Sequence, residues 1–304
     1  AIRWAVDQFN SESVLFRESE RFGLGLWLRH LLHDRQPTPT AAGAVFCGIV
    51  ILMVRFFMGL AVPSQPDLRR MAVSILVTQL AVVLTPALLM TVMLTKSPVQ
   101  TLQLRRPPWL GIPLAAALAI TIQPAAKALS LGVVQLYPIS DAIKEAMRPL
   151  EALIREAPWP YLLAFMAIAP AICEELAFRG FILSGFRNSG RKWQAVFYSA
   201  LFFGLTHTIL QQSIMTFAVG LVLGLIAYQT GSVLPGRIFH LIHNGINVLG
   251  SRAVPELLDR LPWLEAVVFR EGGDFTYTWQ ALVASILASL LLLAWFNRVR
   301  PATS

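Results

Sequence analysis

Charged residues are scarce in this chain: only 14% of its 304 residues are Asp, Glu, Lys or Arg, whereas 56% are hydrophobic. A soluble domain carries about 25% charged residues, so the composition excludes an ordinary soluble enzyme. The net charge of +8 does not call for a nucleic acid partner, because membrane proteins collect basic residues on the cytoplasmic side. We therefore expect an integral membrane protein surrounded by lipid.

Cysteine is nearly absent, with only Cys47 and Cys173, both in apolar stretches. Such cysteines usually act as small buried hydrophobes, and the Cys-rich spacing of a structural zinc module is missing. A targeting peptide is missing too, because the first 40 residues are polar and the chain begins with Ala1 rather than Met. We expect the chain to be one piece of a longer polypeptide.

Common protease signatures are also lacking. The sequence has no HExxH, no GxSxG and no Gly-x-Gly-Asp run in an apolar stretch, which disfavours the known zinc, serine and aspartyl intramembrane classes. No internal repeat is evident, which argues against the inverted-repeat transporters.

Apolar windows of about 20 residues, each able to cross roughly 30 Å of hydrocarbon, recur along the chain. They predict an all-α fold class, a polytopic membrane helical bundle of about eight transmembrane helices. The sixth and seventh windows are short and lie close together. The eight windows are Ala42–Val62, Met71–Thr95, Trp109–Leu131, Tyr161–Ser184, Gln194–Leu210, Met215–Tyr228, Leu234–Leu249 and Trp279–Phe296.

The chain divides into two predicted regions. Residues 1–40 are expected to form a cytoplasmic lead-in, in which the apolar stretch 22–32 is typical of a short interfacial helix. Residues 41–304 form the predicted membrane domain. Within it, Asp141–Glu156 has the spacing of an amphipathic helix on the outer surface, and residues 251–274 are a second outer excursion.

Basic residues are distributed unevenly between the two sides of the predicted bundle. With the N-terminus inside, fourteen Lys or Arg residues are cytoplasmic and eight lie opposite. We therefore expect both termini in the cytoplasm, in a bacterial inner membrane. The fourteen are Arg3, Arg17, Arg21, Arg29, Arg35, Lys96, Arg105, Arg106, Arg187, Arg191, Lys192, Arg237, Arg298 and Arg300, and the eight are Arg69, Arg70, Lys144, Arg148, Arg155, Arg252, Arg260 and Arg270.

The fourth window contains three ionisable residues in six: Glu174, Glu175 and Arg179. Each charge near a bilayer centre costs at least about 2.5–3.5 kcal/mol, so we expect such a cluster only where it has a functional or structural role. Glu175 and Arg179 are four residues apart and can pair on one helical face, whereas Glu174 points about 100° away. A pair that only joins helices would explain Glu175 and Arg179, but it would leave Glu174 as a costly buried charge.

Histidines and amides mark the fifth and seventh windows. His207 lies near the end of the fifth, where a single histidine is more often a satisfied polar residue than a catalyst. In the seventh, His240, His243, Asn244 and Asn247 recur at the spacing of one helical face. That face must meet a cavity or polar groups of other helices, and hydrogen bonding between helices is the alternative reading.

Hydrolysis is the chemistry that fits these groups. Glu174 could act as general base toward a water, with His207 beside it. His240 and Asn244 could donate to the oxyanion of a tetrahedral intermediate, where one donor is worth roughly 2.7–4 kcal/mol. Glu174, His207 and His240 are also a three-ligand zinc set with an open water position, so a zinc cofactor remains the alternative to no cofactor.

The predicted span ends conflict with this grouping. At about 1.5 Å per residue, Glu174 lies about 21 Å below the outer surface and His207 only about 5 Å below it. Because the chemistry needs them together, we expect that some helix ends lie elsewhere or that some helices are broken.

Glu174-Glu175-x-x-x-Arg179, Phe203-x-x-x-His207 and His240-x-x-x-Asn244, in this order, resemble the three-part signature of the CPBP family. This family contains type II CAAX prenyl endopeptidases and bacterial Abi-type proteins. The resemblance covers residues 160–249. It implies a glutamate-type intramembrane endopeptidase without a metal, although members have long been called metalloproteases.

By position, the resemblance implies that Glu174 and His207 activate the water and that His240 with Asn244 forms the oxyanion site. Glu175 and Arg179 would be mainly architectural. The expected partner is a peptide or membrane-protein substrate. Residues 9–18 also resemble the linker of proteins that join a transporter permease to such a protease. A non-catalytic transporter subunit or immunity scaffold is the alternative function.

Overall fold

The computed structural model describes residues 35–59, 67–271 and 274–299. The interfacial helix expected at residues 22–32 lies outside the described part of the chain. Residues 35–40 precede the first helix of the bundle, and the backbone at Gln36 pairs with that at Thr95.

The described chain folds into a helical bundle, as the apolar windows predict. The helices are α1 (Ala41–Gly59), α2 (Leu68–Leu94), α3 (Pro98–Thr101), α4 (Gly111–Thr121), α5 (Gln123–Leu136), α6 (Asp141–Glu156), α7 (Trp159–Arg187), α8 (Lys192–Leu205), α9 (Leu210–Thr230), α10 (Val233–Arg260) and α11 (Trp279–Phe296).

A short non-helical excursion separates α10 from α11. It consists of a 3₁₀ turn, Pro262–Ala266, and an antiparallel hairpin of β1 (Val268–Glu271) and β2 (Asp274–Tyr277). The excursion predicted for residues 251–274 therefore begins later than expected, because α10 stays helical through Arg260.

Five described helices, α1, α2, α7, α9 and α11, are long and apolar enough to cross a membrane. The bent pair α4 and α5 makes six if it is one span. The predicted count of eight is not confirmed. Two predicted windows fall in α8, which has only 14 residues, and in α10, which carries many polar side chains.

The third predicted window is broken by a bend of 46° between α4 and α5. Pro124, at the start of α5, has no backbone N–H to donate, which weakens the helix at this point. The Gln123 side chain compensates by donating to the Ala119 carbonyl at 2.7 Å.

Helices α2 and α7 contain π-helical segments, Val77–Leu84 in α2 and Leu163–Ile168 and Glu175–Ile182 in α7. Such segments are often found at functional sites, because the wider turn displaces side chains and frees backbone carbonyls. The acidic pair of the fourth window lies at the start of the third segment.

Helix α7 lies at the centre of the bundle, and its side chains Phe178, Arg179 and Phe181 are completely or almost completely buried. Small residues allow its neighbours to approach closely. A Cβ on Gly185 would lie 2.6 Å from the Ala44 methyl of α1. The central position of α7 fixes the polar groups that it carries.

Helix α6 confirms the helix predicted for Asp141–Glu156, with the same ends. Ser140 caps its first turn by accepting from the Ile143 N–H. None of its side chains is buried, and its Lys144 and Asp141 form an ion pair, as expected for an amphipathic surface helix.

Candidate active site

One cavity, of about 790 Å³, is lined by polar side chains from several parts of the bundle, six of which bear on its chemistry. They come from α1, α2, α7, α10 and the turn between α8 and α9. The structure thus brings all four predicted catalytic residues to one chamber, together with two residues that no motif indicated. The six are Arg55, Gln79, Glu174, His207, His240 and Asn244.

The two carboxylate oxygens of Glu174 have different surroundings. Oε1 accepts a hydrogen bond from Gln79 Nε2 at 2.7 Å. Oε2 lies 3.7 Å from His240 Nε2, and the side chain is 12% exposed. One oxygen is therefore held by α2, while the other meets the cavity beside an imidazole.

Glu175 and Arg179 form the predicted pair, with 3.1 Å between Glu175 Oε1 and an Arg179 nitrogen, and both side chains are fully buried. The same Oε1 lies 3.0 Å from His240 Nδ1. A carboxylate only accepts hydrogen bonds, so Nδ1 carries a proton and Nε2 is left to face Glu174. Glu175 therefore orients the histidine as well as pairing with Arg179.

Phe203 fixes the two imidazoles relative to each other. Its ring meets His207 and His240 edge-on, with centroids 5.7 Å and 5.9 Å away. The Arg179 guanidinium lies over the same ring at 4.2 Å, a favourable cation–π contact. This gives the aromatic residue of the second motif a physical role.

The depth conflict disappears because α8 ends at Leu205, five residues before the predicted end. Its 14 residues rise about 21 Å, less than the roughly 30 Å of hydrocarbon, so a helix of this length does not carry His207 across the full hydrocarbon thickness. His207 Nδ1 lies 3.3 Å from the Phe203 carbonyl, which leaves Nε2 for the cavity. His207 is close enough to Glu174 and His240 to interact with both electrostatically.

The polar side chains of α10 contact two different helices. Asn244 Nδ2 donates to the Met166 carbonyl, in a π-helical segment of α7, at 3.2 Å. His243 Nδ1 accepts from Gln123 at the bend between α4 and α5, at 3.0 Å. His240 and Asn244 are thus the pair that faces α7, whereas His243 joins α10 to α5.

Sequence reasoning missed Gln79 and Arg55. Arg55 donates to the Thr206 carbonyl at 3.2 Å and so supports the turn that carries His207. A charged residue inside the first apolar window was a signal that could have found it. Gln79 gave no comparable signal, because an isolated glutamine is common among helix contacts.

In the described residues, no group of three or more His, Cys, Asp or Glu side chains is placed to hold a metal ion. Zinc binding by Glu174, His207 and His240, the alternative that the sequence suggests, stays a prediction.

Residues 156–246 match the family model of the type II CAAX prenyl endopeptidases, described as Rce1-like. This segment is therefore similar to the intramembrane proteases that its motifs resemble, over less than half of the chain. It contains all seven named motif residues, from Glu174 to Asn244. No curated protein and no solved structure matches the chain. This similarity supports protease activity within the membrane, and the long apolar helices support an integral membrane protein.

Proposed function

We propose that this protein is a glutamate-type intramembrane endopeptidase that cleaves peptide bonds with a water activated by Glu174. The observation that carries the proposal is the free Glu174 oxygen, which meets the cavity 3.7 Å from His240 Nε2 while Gln79 holds the other oxygen. A base held on one side and open on the other is suited to take a proton from water.

In the proposed reaction, Glu174 takes a proton from a water that His207 helps to hold. The water oxygen bonds to the carbonyl carbon of the substrate, and the C=O electron pair moves onto oxygen. The oxyanion electron pair then re-forms the C=O bond as the C–N bond breaks, and Glu174 passes its proton to the leaving nitrogen, which yields an acid and an amine. Atoms and charge balance without another reactant.

The oxyanion is stabilised by His240 and Asn244. His240 donates to the oxyanion from Nε2, while its Nδ1 faces the Glu175 carboxylate. Asn244 uses one amide hydrogen on the Met166 carbonyl and has a second for the substrate. Arg179 balances the charge of Glu175, which limits the cost of burying that pair.

The test is cleavage of a peptide library by purified protein in detergent. Glu174→Gln keeps the shape but removes the base, so we expect cleavage to fall about 10²–10⁴-fold. Glu265→Gln, at an exposed position outside the cavity, is the matched control and should cleave normally. Equal cleavage by wild type and Glu174→Gln would refute the proposal.

The same assay examines the zinc alternative. The proposal assigns no step to a metal, so strong chelators should leave cleavage by the wild type unchanged. Loss of cleavage with a chelator, restored by added zinc, would favour the metal mechanism.

A further inference from the structure

Two polar residues of α10 line the catalytic cavity but have no part in the proposed reaction. They are His243 and Asn247, which lie three residues after His240 and Asn244 respectively. Three residues rise about 4.5 Å along a helix, so both side chains lie nearly one turn beyond the pair assigned to the oxyanion. His243 is also close enough to His240 to interact with it electrostatically.

The hydrogen bonds of Gln123 determine where His243 carries its proton. Gln123 Nε2 lies 2.7 Å from the Ala119 carbonyl, which only accepts, so this atom is the amide nitrogen. The same nitrogen lies 3.0 Å from His243 Nδ1, which therefore accepts from it. A neutral imidazole that accepts at one nitrogen donates from the other, so His243 carries its proton on Nε2.

The Nε2–H group of His243 is available to a ligand. Among the described residues, no side chain or backbone group forms a hydrogen bond with it. It is also not one of the fully enclosed polar atoms without a partner in the described chain, and the ring forms part of the cavity wall. His243 thus offers the cavity a hydrogen-bond donor.

Asn247 supplies the complementary group. Its Nδ2 donates to the His243 carbonyl, one turn earlier in the helix, at 2.9 Å. Because this bond uses the nitrogen, the amide oxygen Oδ1 is left as an acceptor, and it has no hydrogen-bond partner in the described part of the chain. The side chain is exposed and lines the cavity. The cavity therefore has a donor and an acceptor on one face of α10.

A peptide in extended conformation matches such a pair. Each residue of a β-strand presents its N–H and C=O on the same edge, which is how two antiparallel residues exchange two hydrogen bonds. Side chains four residues apart on a helix are neighbours, with Cβ atoms about 5–6 Å apart, so His243 and Asn247 can reach one residue of a bound peptide. A helical segment cannot bind in this way, because its N–H and C=O groups already bond to each other.

We propose that His243 and Asn247 form a main-chain subsite, in which His243 donates to the C=O and Asn247 accepts from the N–H of one substrate residue. An extended chain rises about 3.3 Å per residue, so an offset of about 4.5 Å places this residue one or two positions from the scissile carbonyl. The substrate is then a peptide segment that is extended where it is cleaved. The subsite rests on the proposed function, which defines the scissile bond.

Kinetics of two variants test the subsite, on a peptide that the wild type cleaves in detergent. Asn247→Leu removes the acceptor at similar size, and His243→Phe removes the donor but keeps a ring to stack on Phe239. Each lost hydrogen bond should raise KM about fivefold and leave kcat within about twofold, because it binds substrate and transition state alike. Gln135→Leu, at an exposed position of α5 outside the cavity, is the control and should keep both constants.

A change in the peptide tests the contact itself, which a loss of helix packing could not imitate. Mass spectrometry locates the cleaved bond, and a methyl group is then placed on one backbone nitrogen at a time near that bond. With the wild type, one of these peptides should have a KM about fivefold higher or more. With Asn247→Leu, the same methyl group should have little effect, because the acceptor is already absent.

Equal effects of methylation on the wild type and on Asn247→Leu at every position would overturn the subsite, as would an unchanged KM in either variant. The proposed function would stand in both cases, because the wild type still cleaves. If the wild type cleaves no peptide, the proposed function fails and the subsite fails with it.

Discussion

At the scale of single residues, the Glu174 carboxylate is hydrogen-bonded by a residue that lies outside residues 156–246, the segment that matches the family model. Gln79 lies in α2, 95 residues earlier in the chain, and donates to Glu174 Oε1 at 2.7 Å. This bond fixes the rotamer of the carboxylate and so keeps Oε2 directed into the cavity. Gln79 is therefore a positioning residue and not a catalytic one.

We expect Gln79→Ala to lower kcat about tenfold with little change in KM, because the base loses its orientation but the substrate keeps its contacts. Steady-state kinetics on a cleaved peptide measures both constants. Gln194→Ala, at an exposed position of α8, should match the wild type. A change confined to KM would mean that Gln79 binds substrate instead.

Gly236 provides a way to disturb the buried carboxylate without removing it. A Cβ at this position of α10 would lie 2.9 Å from Glu175 Oε2, closer than real Cβ contacts. Glu175 would have to shift, and with it the His240 ring that it holds at 3.0 Å.

For Gly236→Ala we predict a loss of kcat of about 10–100-fold, since small misplacements of catalytic groups are costly. Gly132→Ala in α5, where nothing lies within 4 Å of the added Cβ, controls for the helical preference of alanine. Unchanged kcat in Gly236→Ala would show that the contact of Glu175 with His240 is not needed.

At the scale of helices, hydropathy located α6 and the centre of α7 well but misplaced the end of α8. Leu205, Ile209 and Leu210 prolong the apolar run, and Gly204 lies inside the last turn of α8 rather than after it. The helix ends because the Thr206 hydroxyl donates a hydrogen bond to the Phe203 carbonyl at 2.6 Å. This local bond competes with the backbone hydrogen bonds of the helix. A window average cannot detect such a bond.

The crossing of α1 and α8 depends on Gly48, where a Cβ would lie 2.4 Å from the Phe202 ring. We expect Gly48→Ala to destabilise the fold by about 1–3 kcal/mol, as overpacking does in other cores. Thermal unfolding in detergent measures the effect. Gly59→Ala, on the same helix with nothing within 4 Å, should keep the wild-type midpoint, and an equal midpoint for Gly48→Ala would contradict this packing.

At the scale of the whole molecule, the sequence could predict that Glu174, His207 and His240 meet. Each would be too costly in lipid alone, so helices that carry such groups must turn them toward one another. The contributions of Arg55 and Gln79 could not be foreseen, because they depend on which helices pack against α7. Pairing between distant helices is set by three-dimensional packing, which a single sequence does not display.

The end of the bundle at which the cavity lies can also be read only from the assembled helices. The sequence gives the uneven distribution of basic residues, but it does not show to which end the cavity opens. In the structure, the α8–α9 turn with His207 and the surface helix α6 lie at the same end of the bundle, and both contribute to the cavity wall. Function thus depends on the relative placement of elements that sequence patterns describe one at a time.

The central claim is that Glu174 and His240 act as one catalytic unit on a single water and carbonyl. A double-mutant cycle of kcat/KM for peptide cleavage, with Glu174→Gln, His240→Ala and the double variant, measures this coupling directly. Residues that act as a unit are strongly non-additive, so the double variant should be within a few-fold of the worse single variant. Losses that simply multiply would show that the two side chains act independently and would contradict the account.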